Sequence, residues 1–304
     1  MTNKNRATLI GFSAILLWSS LVGTIRIVCE NLGAYGGVAV IYSAASVILL
    51  LIFGLKTIRH IPKRYLFWGG LLFASYELCF SLSIGFANNG RQAVEVSMLN
   101  YLWPTLTILF AIAFNNQKAN FLIIPGAILP VIGISWVLGG DQGLNPMMML
   151  ANIQDNPLSY ALAFIGSLIW ASYCMVTVKL ADGKNGVALF LIFTSIIMWV
   201  QYAFSSEPAL SINSFSLILY SFLAAFAIGV GYAAWNYGVF YGNVTILAGA
   251  SYFIPIISAF LSSILLNLTL TYSFWQGTGL VCFGAMLCWL ATRNKKSHLK
   301  EIKQ

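Results

Sequence analysis

From Pro208 to Thr292 the chain runs 85 residues without one charged side chain. A soluble domain cannot fold such a stretch, because its surface is built largely from Lys, Glu, Asp and Arg. A helix crosses a bilayer with about 20 mostly apolar residues, so the stretch holds several consecutive spans. It divides at Gly242-Asn243 and at Asn267-Leu268-Thr269, which gives three. Upstream, apolar runs recur at 7–25, 31–55, 65–90, 96–117, 119–140, 156–178 and 185–206, making ten spans in all. The runs are continuously apolar, as lipid-embedded helices must be, whereas barrel strands alternate over about ten residues. The predicted fold class is an all-α membrane protein. The first run follows Lys4 and Arg6 in the manner of a signal peptide. It lacks a small-x-small cleavage site and is long enough to span, so it reads as a retained helix.

Only 8% of the 304 residues are charged, against about 25% in an average soluble domain. This excludes a water-soluble enzyme and a disordered chain. The net charge of +8 invites a nucleic-acid reading, but position decides otherwise. With a cytoplasmic N-terminus and ten spans, fourteen basic residues fall inside: Lys4, Arg6, Lys56, Arg59, Lys63, Arg64, Lys118, Lys179, Lys184, Arg293, Lys295, Lys296, Lys300 and Lys303. Only Arg26 and Arg91 fall outside. That asymmetry is a topology signal and an attraction to anionic lipid, and both termini are predicted to be cytoplasmic. Nucleic acid need not be invoked. The five cysteines form no C-x-x-C pair and read as small hydrophobes. His60 and His298 lie in basic stretches outside the spans, so no embedded zinc site or Ser-His-Asp triad is expected. No cofactor or metal is called for, and the absence of a phosphate-binding loop argues against an ATP-driven pump.

The chain repeats at half its length. Trp18 in Leu-Trp-Ser-Ser is matched 152 residues later by Trp170 in Ile-Trp-Ala-Ser. Tyr101-Leu-Trp-Pro104 is matched 151 residues later by Tyr252-Phe-Ile-Pro255, and Gly126 and Gly133 match Gly277 and Gly284 at the same offset. Two five-span halves in one chain must enter the membrane in opposite directions, the inverted repeat used for alternating access. The expected organisation is a first repeat over 1–140, an external linker over 141–156, a second repeat over 157–292 and a basic cytoplasmic tail over 293–304. Met147-Met148-Met149-Leu150 in the linker suits a membrane surface. Gly229, Gly231, Gly277, Gly279 and Gly284 are candidates for close helix approach.

The span centres carry the candidate site. Pro104 and Pro255 fall near the middle of spans four and nine, where a proline frees the carbonyls of Asn100 and Ser251. Each is either a static kink or a hinge lining a central cavity; the paired placement favours hinges. Trp and Tyr normally prefer the interfaces, yet Trp18, Tyr76, Tyr101, Trp103, Trp170, Tyr173 and Tyr252 gather at mid-depth. A buried indole or phenol needs a polar partner, so the cluster reads as a pocket rather than lipid-facing packing. Tyr232 and Trp235 are weaker candidates nearer the cytoplasmic side. Glu77 is the one charge near the centre of a span. It can carry a proton, face a substrate ammonium or make a structural hydrogen bond to a neighbouring helix. Arg26, Glu30, Arg91 and Glu95 cluster at the outer ends as ion pairs or a gate.

Ten spans as five plus five, a Trp early in each half and a Tyr-x-x-Pro element in the fourth helix of each half resemble the drug/metabolite transporter superfamily, EamA type. The run Asn100-Tyr101-Leu102-Trp103-Pro104 is similar to that of its bacterial aromatic amino acid exporters. The resemblance implies a basket of ten helices in the bacterial inner membrane that exports Phe, Tyr, Trp and cationic drugs. The residues fit: Trp18, Tyr76, Tyr101, Trp103, Trp170 and Tyr173 as walls, with Asn100, Ser251 and Glu77 meeting the charged groups. Lipophilic cations, or other amino acids such as threonine and homoserine, are the alternative cargo. A substrate gradient and proton exchange both remain open as the energy source. A membrane-embedded enzyme would need more ionisable groups near one membrane face than this chain offers.

Overall fold

A computed structural model of the chain describes residues 3–54 and 61–292. His60, His298 and the basic tail 293–304 lie outside the described residues. Every regular element among the described residues is helical. The helices are α1 (Asn3–Ser19), α2 (Leu21–Leu32), α3 (Ala34–Phe53), α4 (Lys63–Gly85), α5 (Gly90–Asn100), α6 (Trp103–Asn115), α7 (Ile123–Leu138), α8 (Pro146–Asp155), α9 (Pro157–Leu180), α10 (Val187–Phe204), α11 (Phe215–Tyr241), α12 (Val244–Ser251), α13 (Ile254–Leu265) and α14 (Tyr272–Thr292).

Among the described residues, eight segments are long and apolar enough to cross a membrane, counting α1–α2 and α5–α6 as one each. The pair α12–α13, bent by 51°, gives a ninth, and α7 is apolar but shorter.

Helix starts follow local chemistry. Asn89, Asn145, Asn156 and Asn243 each accept a hydrogen bond from a backbone N–H in the first turn of the helix they precede. Pro146 and Pro157 follow two of these caps, at the position where a missing N–H costs nothing. Helix α3 is capped from far away: the Glu207 carboxylate accepts from the N–H groups of Tyr35 and Gly36, both at 2.9 Å. Gly33, at φ 80°, makes the sharp turn before it.

The first span runs past the predicted end at residue 25, to Leu32. Arg26 and Glu30 do not stop it because they pair with each other at 2.7 Å. The prolines correct the expected kinks in a similar way. Pro104 and Pro255 stand in the first turn of α6 and α13 rather than inside continuous helices. Each span breaks just before its proline, at residues 101–102 and 252–253.

Helix α7 packs on α14, α1 on α11, α4 on α9, and α3 on α10. Glycine sets the first contact. A Cβ at Gly133 would lie 2.5 Å from the Gly277 carbonyl oxygen, and one at Gly277 would lie 2.5 Å from that of Gly133. The close approaches come in matched sets: Gly126 meets Cys288 as Gly277 meets Val137, and Gly133 meets Val281 as Gly284 meets Pro130. Gly229 packs on the Ala45 carbonyl of α3, whereas Gly279 has nothing within 4 Å of an added Cβ and plays no part in close packing. We expect Gly133→Ala to lower the thermal stability of the detergent-purified protein by about 1–3 kcal/mol, the usual cost of overpacking. Gly279→Ala is the control and should leave the melting curve unchanged.

Candidate functional site

A cavity of about 400 Å³ lies where α1, α4, α9 and α11 meet the two broken spans, within the roughly 300–1,000 Å³ typical of small-ligand sites. Trp18, Tyr76, Glu77, Asn100, Tyr101, Trp103, Trp170, Tyr173 and Ser251 all line it, so nine of the ten predicted binding residues converge. Tyr252 does not. It is one residue past Ser251, which turns it about 100° around the helix axis, into a smaller cavity beside Pro104, Pro255 and Val281.

Trp170 is the centre of the ring cluster. Its centroid lies 4.4 Å from that of Tyr76, 5.0 Å from Tyr173, 6.2 Å from Trp103 and 6.5 Å from Tyr232. Trp18 closes the other wall, 5.3 Å from Tyr232 and 5.4 Å from Trp235. Gly231 makes room for it, since a Cβ there would stand 2.6 Å from the Trp18 indole nitrogen. Tyr232, ranked low by its depth in the sequence, therefore belongs to the heart of the site.

Glu77 is buried on the cavity wall. Both carboxyl oxygens accept phenol protons: Tyr232 donates to Oε1 at 2.6 Å and Tyr42 to Oε2 at 2.6 Å. The Tyr42 hydroxyl also meets Ser81 Oγ at 2.7 Å. The carboxyl thus ties α3, α4 and α11 together while facing the cavity. Tyr42 and Ser81 were not singled out in the sequence. Ser81 is one turn from Glu77 on the same helix face, and that i,i+4 spacing was the available signal. Asn100 donates to the Tyr76 hydroxyl at 3.4 Å, and its own Oδ1 is buried without a partner.

The cavity reaches the end of the bundle that carries the 181–186 turn. Thr177, Val178 and Val187 line that mouth, and Val178 is 74% exposed. The opposite end is sealed by polar groups, none of which lines the cavity. Arg26 is 6% exposed and caps the C-terminus of α4, donating to the carbonyls of Ile84, Gly85 and Ala87. A guanidinium suits this place, with several donors near the negative end of a helix. Asn156 donates to the Phe86 carbonyl at 2.8 Å and to Gln92 at 2.9 Å. Asp155 accepts from Asn88 and Gln92. Arg91 pairs with Glu95 at 3.2 Å and with Asp141 at 2.6 Å. The predicted outer cluster is therefore real as ion pairs, and Asn88, Gln92, Asp155 and Asn156 join it.

Apolar helices around a half-closed, ring-lined chamber define a membrane transporter for small molecules. Residues 157–290 match the EamA-like transporter family. The chain is 52% identical to the aromatic amino acid exporter YddG of Salmonella typhimurium, over 97% of this chain and 100% of that protein. It is also 52% identical to YddG of Escherichia coli, over 95% of this chain and 99% of that protein. A more distant YddG, from Ancylobacter novellus, is 25% identical over 85% of this chain and 88% of that protein. A crystal structure at 21% identity superposes with a TM-score of 0.68 over 95% of this chain and 99% of its own, which establishes the shared fold alone. The chain belongs to the EamA-like transporter family, in the group that contains the YddG proteins.

Proposed function

We propose that the protein is a secondary transporter that exports aromatic amino acids across the bacterial inner membrane by alternating access at the ring-lined cavity. One observation carries the reading. Nine separately nominated residues, seven of them aromatic or carboxylic, line a single chamber between membrane spans. Identity to exporters of this name over nearly the whole chain supports it.

In this reading Trp18, Tyr76, Tyr101, Trp103, Trp170 and Tyr173 enclose the substrate ring, and Glu77, Asn100 and Ser251 meet its polar end. Tyr252 supports the break from behind. Pro104 and Pro255 start the second halves of spans four and nine and serve as hinges.

Ten spans follow when α7 is counted. At 1.5 Å per residue its 16 residues reach about 24 Å, and it packs along the full span α14. The matched glycine contacts support a two-fold relation between the halves. Adding 151 to the numbers of Gly126 and Val137 gives Gly277 and Cys288, and adding it to Pro130 and Gly133 gives Val281 and Gly284. Ser43 Oγ meets Ser195 Oγ at 2.8 Å, a residue in contact with its own counterpart 152 positions on, as on a two-fold axis. With five spans per half, that axis lies in the membrane plane and the repeat is inverted. The linker 141–156 then lies outside, with α8 and its exposed Met147 and Met148 on the membrane surface. The basic residues put the mouth beside Lys179 and Lys184 in the cytoplasm. The conformation is accordingly open inward and sealed outward.

Proteoliposomes provide the test. Labelled phenylalanine should exchange saturably and be competed by tyrosine and tryptophan, while aspartate should not move. Equal flux of aspartate and phenylalanine, or none of the aromatic amino acids, would overturn the reading.

A further inference from the structure

The charge inventory of the cavity is lopsided. Glu77 brings a carboxyl whose two bonded phenols spend their protons on it. Asn100 gives one amide N–H to Tyr76, and its Oδ1 is buried without a partner, facing Gly166 of α9 rather than open to the cavity. Ser251 spends its proton on the Ala248 carbonyl, at 2.8 Å, and keeps an acceptor. Among the described residues, no Lys, Arg or His lines the cavity. The donors still free are neutral: the indole N–H groups of Trp18, Trp103, Trp170 and Trp235, the Tyr76 hydroxyl, and the Asn236 amide, whose Nδ2 is buried without a partner.

A primary ammonium fits this set. It has three donors and no acceptor, and the ring faces around it stabilise a cation further. A carboxylate on the same ligand meets neutral donors only, beside the Glu77 carboxyl and with no cation to balance it, so its charge is desolvated without compensation. Resting on the reading of this cavity as an aromatic-ligand site, we propose that the head group it recognises is the primary ammonium alone. Aromatic primary amines that lack a carboxylate are therefore ligands of the same site, bound more tightly than the amino acids of the same ring. Glu77 determines that preference.

Four ligands with one phenyl ring separate the contributions. Isothermal titration of the full-length protein in nanodiscs is run with phenylalanine, 2-phenylethylamine, 3-phenylpropionate and phenylethyl-trimethylammonium, each alone. The primary amine should bind about tenfold more tightly than phenylalanine, a difference of ~1.4 kcal/mol. The acid should not bind, and the quaternary amine, with no N–H to give, should bind more weakly than the primary one. Glu77→Gln should remove most of the amine's advantage over phenylalanine. Should that variant fail to fold, the four ligands on the native protein still decide. Phenylalanine binding without the amine overturns this proposal and leaves the amino acid reading intact. Amine binding without phenylalanine upholds this proposal and sinks the amino acid reading. No binding by either removes both. The acid or the quaternary amine binding as well as the primary amine overturns the assignment of the acceptors.

Discussion

Trp170→Ala lowers phenylalanine exchange in proteoliposomes at least tenfold, while Trp170→Phe keeps a substantial part of it. The indole stands among Tyr76, Tyr173, Trp103 and Tyr232, so its removal unties the wall as well as one contact face. A ring–ring contact contributes about 0.5–1.5 kcal/mol beyond the burial of its area. Loss of a substrate contact together with the packing that orients its neighbours passes the ~1.4 kcal/mol that makes a factor of ten. Phenylalanine at this position restores a face but not the full reach of the indole. The rates are to be normalised to folded protein by size-exclusion chromatography. Unchanged exchange in the alanine variant would mean that the substrate passes elsewhere.

Arg26→Ala is expected to loosen the sealed end. The side chain is almost fully buried and answers three carbonyls at the C-terminus of α4. Without it those carbonyls lose a charged donor and Glu30 loses its partner. Buried groups left unpaired cost about 1–3 kcal/mol each, so the closed arrangement of this end, outward in the proposed orientation, loses much of its advantage. Cys174 lines the cavity and reports on this directly. In a variant whose other four cysteines are replaced by alanine, a membrane-impermeant thiol reagent applied from outside should label Cys174 at least tenfold faster once Arg26 is removed. Arg26→Lys keeps the charge but loses the fork of donors and should fall between the two. Equal labelling rates with and without Arg26 would show that the seal lies elsewhere.

Much of the site was legible because its residues are scarce where they stand. Indoles, phenols and a carboxyl in mid-span are costly in lipid, so their presence already demanded a cavity. The Tyr-x-x-Pro pair located both helix breaks for the same reason. What stayed hidden depends on partners far away in sequence. Tyr42 sits in an unbroken apolar run, and nothing local says that its hydroxyl meets Glu77, 35 positions on. Glu207 looks like a loop acid, yet it caps α3 from 171 positions away. Arg26 reads as the end of a span because a charge ends an apolar run, yet the helix carries it, paired with Glu30, on to Leu32. Tyr252 went astray by a single residue, because a repeat offset aligns positions and does not fix which way a side chain turns after a break.

On the proposed inverted repeat, the plug at the C-terminus of α4 has an unequal twin. The position 152 beyond Arg26 is Val178, exposed at the open mouth. Closing that mouth would set an isopropyl group, with no proton to give, where its counterpart has a guanidinium. An idle carrier would therefore dwell with its entrance toward the cell interior, waiting to be loaded. It would half-saturate at a lower concentration from within than from without. The gradient alone still dictates the net direction of traffic, but a scarce internal cargo would find the door already ajar.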